Sequence, residues 1–173
     1  PARLAVKINS EIGRTDYVLV GLVERPQAAG EVALAAYSMG KGSGSVTTFS
    51  HADGFITIGR HVEIVAAGSV VDVQLLGRDL RLADLVVIGS HCVGLDYLLG
   101  RLQDLGLRTK FLAVGSTAGL DAAGRGECDL AGIHLMDPQT GQYNRPFLTD
   151  DLELIPGYGR MQGVVFRRGD DRF

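Results

Sequence analysis

The fold of the second half of this chain is decided by residues 111–121, which read FLAVGSTAGLD. The four apolar residues at the start are typical of a strand that is covered on both faces. Gly115 allows a tight turn, and Ser116 or Thr117 is a favourable N-cap for a following helix. The stretch therefore predicts a strand, a Gly-Ser turn and a helix start. The free amides and positive dipole end of such a helix suit an anion.

An earlier stretch, residues 85–96, repeats this pattern as LVVIGSHCVGLD. Both stretches contain an apolar run, then Gly-Ser, then Gly-Leu-Asp. If the two strands are parallel neighbours, both Gly-Ser turns lie at the carboxyl edge of one sheet, which is where open α/β sheets bind ligands. His134 ends a third such run and can reach the same edge. The predicted ligand-binding residues are Ser90, Gly115, Ser116, Thr117 and His134.

Three other interpretations of these residues remain open. A serine at a strand-to-helix junction is commonly only a helix cap, and His134 is also consistent with a structural residue at a strand end. A serine hydrolase would carry the pattern Gly-x-Ser-x-Gly. Residues 115–119 read GSTAG, which puts Ser116 one position too early, although His134 could serve as a base. We therefore predict no catalytic residue in this chain.

The composition limits the classes of function. The chain has 173 residues and a net charge of −3, which argues against a nucleic-acid or anionic-membrane binder. Its two cysteines, Cys92 and Cys128, form no Cys-x-x-Cys pair, so we predict no metal site and a reducing, cytoplasmic location. No apolar run is long enough to span a bilayer, and no signal peptide is visible. Because the chain begins with Pro1 rather than Met, we expect it to be part of a longer protein.

Residues 1–77 are predicted to form an all-β domain. Five runs alternate or are rich in β-forming residues, and these predict strands at 2–8, 17–23, 31–37, 54–58 and 70–76. Residues 24–30 contain Pro26 and Gly30 and predict a hairpin loop, and residues 63–68 are predicted as a turn. Short strands joined by Gly-rich turns indicate a small barrel or sandwich.

The hydrophobic period then changes from that of strands to that of a helix. Five leucines after Ser90 share one helical stripe: Leu95, Leu98, Leu99, Leu102 and Leu105. With a third strand at residues 129–135, the order is β-α-β-α-β, which predicts a right-handed parallel sheet. Two further strands are predicted at residues 151–155 and 163–169. The predicted class is α+β in two parts, a small β-barrel or sandwich followed by a parallel-sheet lobe.

The polar segment 77–83 is the predicted domain boundary, because Arg78, Asp79 and Arg81 interrupt the apolar pattern. It separates a β-domain at residues 1–77 from an α/β lobe at residues 83–173. A sheet of three parallel strands is small, so we expect a second lobe to be missing from this chain.

The β-domain resembles the C-terminal β-domain of the MoeA family of molybdopterin biosynthesis proteins. The resemblance rests on residues 45–58, SVTTFSHADGFITI, and residues 67–76, AGSVVDVQLL. It implies a loop containing Ser50 and Asp53 that lines an interface with another domain or subunit, and a homodimer in the full-length protein. The family's metal-insertion chemistry uses acidic residues on a separate α/β domain that is not in this chain. The parent is therefore expected to be a molybdopterin molybdenumtransferase-like enzyme, and this part alone is not expected to be catalytic.

The α/β lobe resembles the periplasmic-binding-protein-like domains found fused to such MoeA proteins, and is similar to the ligand domains of LysR regulators and of molybdate-binding proteins. The motifs are GSTAGL at 115–120, GRGECDLAGIHL at 124–135 and DPQTGQYN at 137–144. In such domains two helix N-termini with hydroxyl residues hold an oxyanion, and Ser90, Ser116 and Thr117 occupy the matching places. The implied ligand is molybdate, tungstate or a molybdopterin phosphate, with no covalently bound cofactor.

The predicted function is therefore the C-terminal portion of a molybdopterin biosynthesis protein with a binding lobe for a small oxyanion. The alternative is a non-catalytic assembly or dimerisation region that has no ligand of its own. In that alternative, the loop at residues 45–53 is the functional feature rather than the two Gly-Ser turns.

Overall fold

The computed structural model describes residues 1–26, 32–40, 51–155, 159, 165–169 and 172. Ser50 and most of the predicted interface loop at residues 45–53 lie outside the described residues. Residues 151–155 and 165–169 contain no strand, so the prediction of a strand at 151–155 is wrong. In the part of the chain that the structure describes, no helix is both long enough and apolar enough to cross a membrane.

The described residues of the N-terminal part form eight strands: β1 Ala2–Leu4, β2 Ile8–Asn9, β3 Asp16–Glu24, β4 Leu34–Ser38, β5 Gly54–Ile58, β6 Ile64–Val65, β7 Val70–Val71 and β8 Gln74–Leu75. Six of them form one mixed sheet in the order β7-β1-β4-β3-β5-β8, and β2 pairs with β6 separately. Only residues 72 and 73 separate β7 from β8, yet these strands lie at opposite edges of the sheet. The sheet is therefore curled into a half-barrel.

The inner face of the half-barrel is a hydrophobic core. Strand β3 alternates along this face with Val18, Val20 and Leu22, which pack against buried residues of β1 and β5 such as Leu4 and Ile56. β-branched residues are well suited to such a half-covered pleated surface.

Three predicted boundaries in this part are wrong because partners distant in the sequence decide where the strands pair. The predicted strands at residues 2–8 and 70–76 are each divided, and the predicted turn at residues 63–68 contains β6. Strand β7 pairs with β1 at one edge of the sheet and β8 pairs with β5 at the other, and residues 72–73 between them leave the ladder. The pairing of β2 with β6 joins Ile8 to Val65 and has no local signal. The antiparallel pairing of the predicted hairpin is confirmed for β3 and β4, but its loop begins after Glu24, and residues 27–31 lie outside the described residues.

The C-terminal part contains the predicted β-α-β-α-β unit. Its elements are β9 Leu85–Gly89, α1 Val93–Asp104, β10 Thr109–Ala113, α2 Ser116–Gly124 and β11 Leu130–Gly132, followed by a 3-10 turn at Arg145–Phe147. The three strands are parallel in the order β10-β9-β11. Because β10 and β11 flank β9 on opposite sides, right-handed crossovers place α1 and α2 on opposite faces of the sheet.

The two helices pack differently on this sheet. Helix α2 lies close to β9, since a Cβ on Gly119 would be 2.6 Å from the Gly89 Cα. Helix α1 buries Leu99, but two members of its predicted leucine stripe, Leu98 and Leu105, are exposed. The buried part of that stripe is therefore narrower than predicted, and Leu105 lies just beyond the end of the helix.

The face of the sheet that carries α2 also packs against the half-barrel. Val23 and Tyr37 of the half-barrel share one hydrophobic cluster with Ile88, Leu112 and Ala122 of the lobe. The contact is close, because a Cβ on Gly21 would be 2.8 Å from Leu112 Cδ2. The outer surface of β3 and β4 thus covers this sheet face beside α2, and the two parts of the chain share a core.

Candidate ligand cleft and the junction beside it

The two predicted Gly-Ser turns meet at the carboxyl edge of the parallel sheet. Ser90 follows β9, Ser116 is the first residue of α2, and His134 follows β11. The Ser90 and Ser116 Oγ atoms are 2.9 Å apart, and Ser116 Oγ accepts a hydrogen bond of 2.8 Å from the His134 amide. The structure therefore brings three of the predicted site residues together, in an arrangement that we call the cleft.

The hydroxyl pair has one proton left to donate. Each serine hydroxyl carries a single donor hydrogen, and the bond between Ser90 and Ser116 uses one of the two. The His134 amide donates its own hydrogen to Ser116, so this bond uses an oxygen lone pair of Ser116 and not its hydroxyl hydrogen. Whichever serine donates to the other, the second O–H of the pair remains to point elsewhere. This arrangement is suited to an acceptor ligand such as an oxyanion.

The helix ends differ from the sequence prediction. The N-cap of α2 is Gly115, with φ 84°, and that of α1 is Cys92, and neither makes a side-chain capping bond. The prediction that Ser116 or Thr117 caps α2 is therefore wrong, because the positive φ of glycine makes the turn one residue earlier. The amides of Ser116, Thr117 and Ala118 have no hydrogen-bond partner among the described residues.

His134 contributes its backbone amide to the cleft, and its ring is exposed beside the cleft. Its imidazole lies 5.2 Å from the Tyr143 ring, measured between centroids. Tyr143 is placed there by a bridge to Met136, and the Asn144 side chain accepts a hydrogen bond from the Leu135 amide. The sequence analysis did not select Tyr143, although it lies in the quoted turn at residues 137–144. The register of that turn has no local signal.

A nucleophile activated by histidine is not formed at this cleft. The hydrogen-bond partners of Ser116 are Ser90 and the backbone of His134, and among the described residues no histidine side chain bonds either serine. The His91 imidazole instead pairs with the Asp96 carboxylate at 2.7 Å. The serine hydrolase interpretation therefore lacks its base.

Asp53 lies at the junction between the half-barrel and the lobe. Its carboxylate accepts hydrogen bonds from the Leu22 amide, at 2.6 Å, and from the Lys110 ammonium. Lys110 also donates to the Leu22 carbonyl at 3.0 Å. The Lys110 and Asp53 side chains are only 13% and 15% exposed. The predicted interface residue thus contacts the lobe of its own chain.

A second polar cluster at the junction is formed by Tyr37, Glu127 and two arginines. The Tyr37 hydroxyl donates to the Glu127 carboxylate, and Arg125 donates to both, at 3.1 Å and 2.8 Å. Arg25 approaches the same carboxylate at 3.8 Å. Burial raises the pKa of Tyr37 well above its usual value, and the Glu127 carboxylate adds to this. The hydrogen bond to Glu127 raises the pKa of Arg125, so the guanidinium stays charged.

The cysteine beside this cluster is not reactive. Burial raises the pKa of the Cys128 thiol to about 11, so it stays protonated near neutral pH. No disulfide joins the two cysteines.

Comparison with protein families assigns both parts of the chain. Residues 1–76 match the MoeA C-terminal region (domain IV), and residues 99–172 match the PBP superfamily domain. The chain pairs a MoeA C-terminal domain with a PBP-like domain. The MoeA match associates the chain with molybdopterin biosynthesis. Comparison with curated proteins gives no significant match.

The two matches divide the candidate site residues between them. The PBP-like match contains Ser116, Thr117 and His134, whereas Ser90 lies just before it. Asp53 belongs to the MoeA-like part and Lys110 to the PBP-like part. The junction is therefore a contact between the MoeA-like part and the PBP-like part of the chain.

Proposed function

We propose that the PBP-like part is a binding module for a small oxyanion or a phosphate-bearing ligand within a molybdopterin biosynthesis protein. The candidate ligands are molybdate, tungstate and the phosphate of molybdopterin. We expect the Ser90 and Ser116 hydroxyls and the first-turn amides of α2, including that of Thr117, to bind the ligand.

The observation that carries this proposal is the hydroxyl pair at 2.9 Å with its one spare proton. It lies where the described first-turn amides of α2 have no partner and where the helix dipole favours negative charge. A purely structural cap would bond its serine to those amides, and neither helix has such a bond. Ser90 and Ser116 bond each other, and Ser116 also bonds the His134 amide, while the three first-turn amides beside them have no partner among the described residues.

The proposed binding is weak in this chain. Neither Gly-Ser turn, at residues 89–91 or 115–118, contains Lys or Arg. The anion then relies on hydroxyls, amides and dipoles, and each exposed dipole contributes only about 0.3–1 kcal/mol. A second lobe in a longer protein would exclude water from the cleft and strengthen each of these interactions.

Isothermal titration calorimetry of the whole chain with sodium molybdate, sulfate and phosphate tests the proposal. We expect saturable binding of at least one oxyanion. Ser116→Ala should weaken it by about 1.5–3 kcal/mol, the usual contribution of a hydrogen bond to a charged group. Thr15→Ala removes an exposed hydroxyl from the MoeA-like part and is the matched control.

Two results would contradict the proposal. One is the absence of saturable binding with all three anions. The other is equal affinity in wild type and Ser116→Ala.

We also propose that the full-length protein is a homodimer. Sedimentation velocity of the full-length protein at several concentrations tests this proposal. A monomer at every concentration would count against it.

A further inference from the structure

A groove runs between α2 and the MoeA-like domain, apart from the cleft. It has a volume of about 390 Å³, within the usual range of ligand pockets. Its walls are largely apolar and include the methyl groups of Ala66, Ala67 and Ala118. Three charged side chains, Lys7, Asp121 and Arg125, also line it. Both family domains contribute to it, and ligand sites occur preferentially at such domain boundaries.

The groove and the cleft use opposite sides of α2. Ser116 and Ala118 are two residues apart, which is about 200° around a helix of 3.6 residues per turn. Ser116 bonds Ser90 in the cleft, whereas Ala118, Asp121 and Arg125 line the groove. A ligand in the groove therefore does not need the cleft serines.

The charges on the groove have spare bonding capacity. Among the described residues, the Lys7 ammonium and the Asp121 carboxylate have no hydrogen bond or ion pair. Arg125 uses one guanidinium nitrogen, Nη2, for both Tyr37 and Glu127, which leaves its other N–H groups. Lys110 and Arg108, like Arg125, are paired with carboxylates of the chain, whereas Lys7 is paired with none in the described part of the chain. Lys7 thus offers the groove a cation that no described carboxylate pairs with, and Arg125 offers further N–H donors beside its pair with Glu127.

We propose that this groove binds a small molecule with an apolar, flat body and an anionic group. The alanine methyl groups leave room for a ring and contact its faces, while Lys7 and Arg125 attract the anion. The groove is open to solvent, so the charge contributes modestly and the apolar body supplies most of the affinity. Because both family domains line the groove, such a ligand also bridges them.

The probe is 8-anilinonaphthalene-1-sulfonate, an aromatic anion, added to the whole chain with ¹³C-labelled alanine methyl groups. We expect saturable methyl shifts at Ala66, Ala67 and Ala118. The neutral analogue N-phenyl-1-naphthylamine should bind more weakly. Lys7→Ala should weaken binding of the anion by about two- to fivefold, as expected for a solvent-exposed charge. Arg101→Ala, which removes an exposed cation on α1, should leave binding unchanged.

A groove-filling variant completes the test. Ala67→Trp places a large ring in the groove from an exposed position and should abolish the alanine shifts. Thermal unfolding would check that this variant is folded, and the Lys7→Ala result decides the question if it is not. The proposal is overturned if the probe shifts only alanines outside the groove, or if the neutral analogue binds as tightly as the anion.

Discussion

The two ends of helix α2 lie in contrasting polar environments. At its N-terminus, Ser116 is half-buried, and three first-turn amides have no partner among the described residues. Beyond its C-terminus, Glu127 is 4% exposed, and Tyr37 and Arg125 both donate to its carboxylate. Polar groups that are buried must be satisfied within the protein, whereas exposed donors remain available to a ligand. The junction groups are therefore satisfied within the chain, whereas the cleft groups are the ones that we propose for ligand binding.

The largest expected effect comes from removing a buried charge at the junction. Glu127→Ala removes a carboxylate that is 4% exposed and accepts from Tyr37 and Arg125. Breaking a buried pair costs about 3–5 kcal/mol, and we expect the lower end because Arg125 is 41% exposed. Urea denaturation measures the loss in the free energy of unfolding. Asp96→Ala, at an exposed ion pair, should change it by less than about 1 kcal/mol. Equal effects of the two variants would break the comparison.

The apolar part of the junction should respond nearly as strongly. Leu112 is buried against the half-barrel, so Leu112→Ala should cost about 2–5 kcal/mol through lost contacts and a cavity. Leu105→Ala is the control, because that side chain is 77% exposed. A small effect at Leu112, again by urea denaturation, would mean that the two parts do not depend on their shared core.

Alkaline pH should weaken the junction through Tyr37. Its pKa is raised in the folded state, so the folded protein retains a proton that the unfolded chain loses above about pH 10. Stability is therefore fully present below that pH and falls as pH rises, by at most about 1.4 kcal/mol per pH unit for one group. Tyr37→Phe should show a shallower decline between about pH 10 and 11. Parallel curves for the two proteins would exclude Tyr37 as the cause.

The cleft should contribute little to stability. Ser116→Ala removes hydrogen bonds to Ser90 and to the His134 amide, but water can reach His134. The expected loss is about 0.5–1.5 kcal/mol, measured by the same denaturation. A loss as large as that of Glu127→Ala would make Ser116 a structural residue and would remove the contrast.

Cleavage of the linker should have the smallest effect. We expect trypsin to cut first after Arg78 or Arg81, which are exposed and lie outside any helix or strand. The two fragments should then elute together from a sizing column, because their shared core remains buried. First cleavage within residues 85–133 would contradict the proposed domain division, and separation of the fragments would contradict the shared core.

The sequence predicted the lobe better than the half-barrel for a physical reason. Strands β9 and β10 each contain a short apolar run next to a glycine or a charged residue, so the sequence around each strand was enough to predict it. Strands β7 and β8 form one alternating run in the sequence, and only the curl of the sheet divides it. The convergence of Ser90 with Ser116 followed from the repeated Gly-Ser pattern once the strands were taken as parallel neighbours.

The junction had no signal in the sequence. Tyr37 and Glu127 are 90 residues apart, and Asp53 and Lys110 are 57 apart. Single charged or aromatic residues at such separations have no pattern that would join them. Residues 17–23 of β3 are apolar on both faces, which suits a covered outer face, but nothing in them identifies the lobe as the partner. Asp53 was selected through the MoeA resemblance, but its partner Lys110 was not.

The most direct test of the central claim is an amide NMR titration of the ¹⁵N-labelled whole chain with sodium molybdate. The account predicts saturable shifts at the amides of Ser116, Thr117 and Ala118, with the junction amides of Arg125 and Glu127 unmoved. Saturable shifts only outside the cleft, or none at any molybdate concentration, would contradict oxyanion recognition at the cleft.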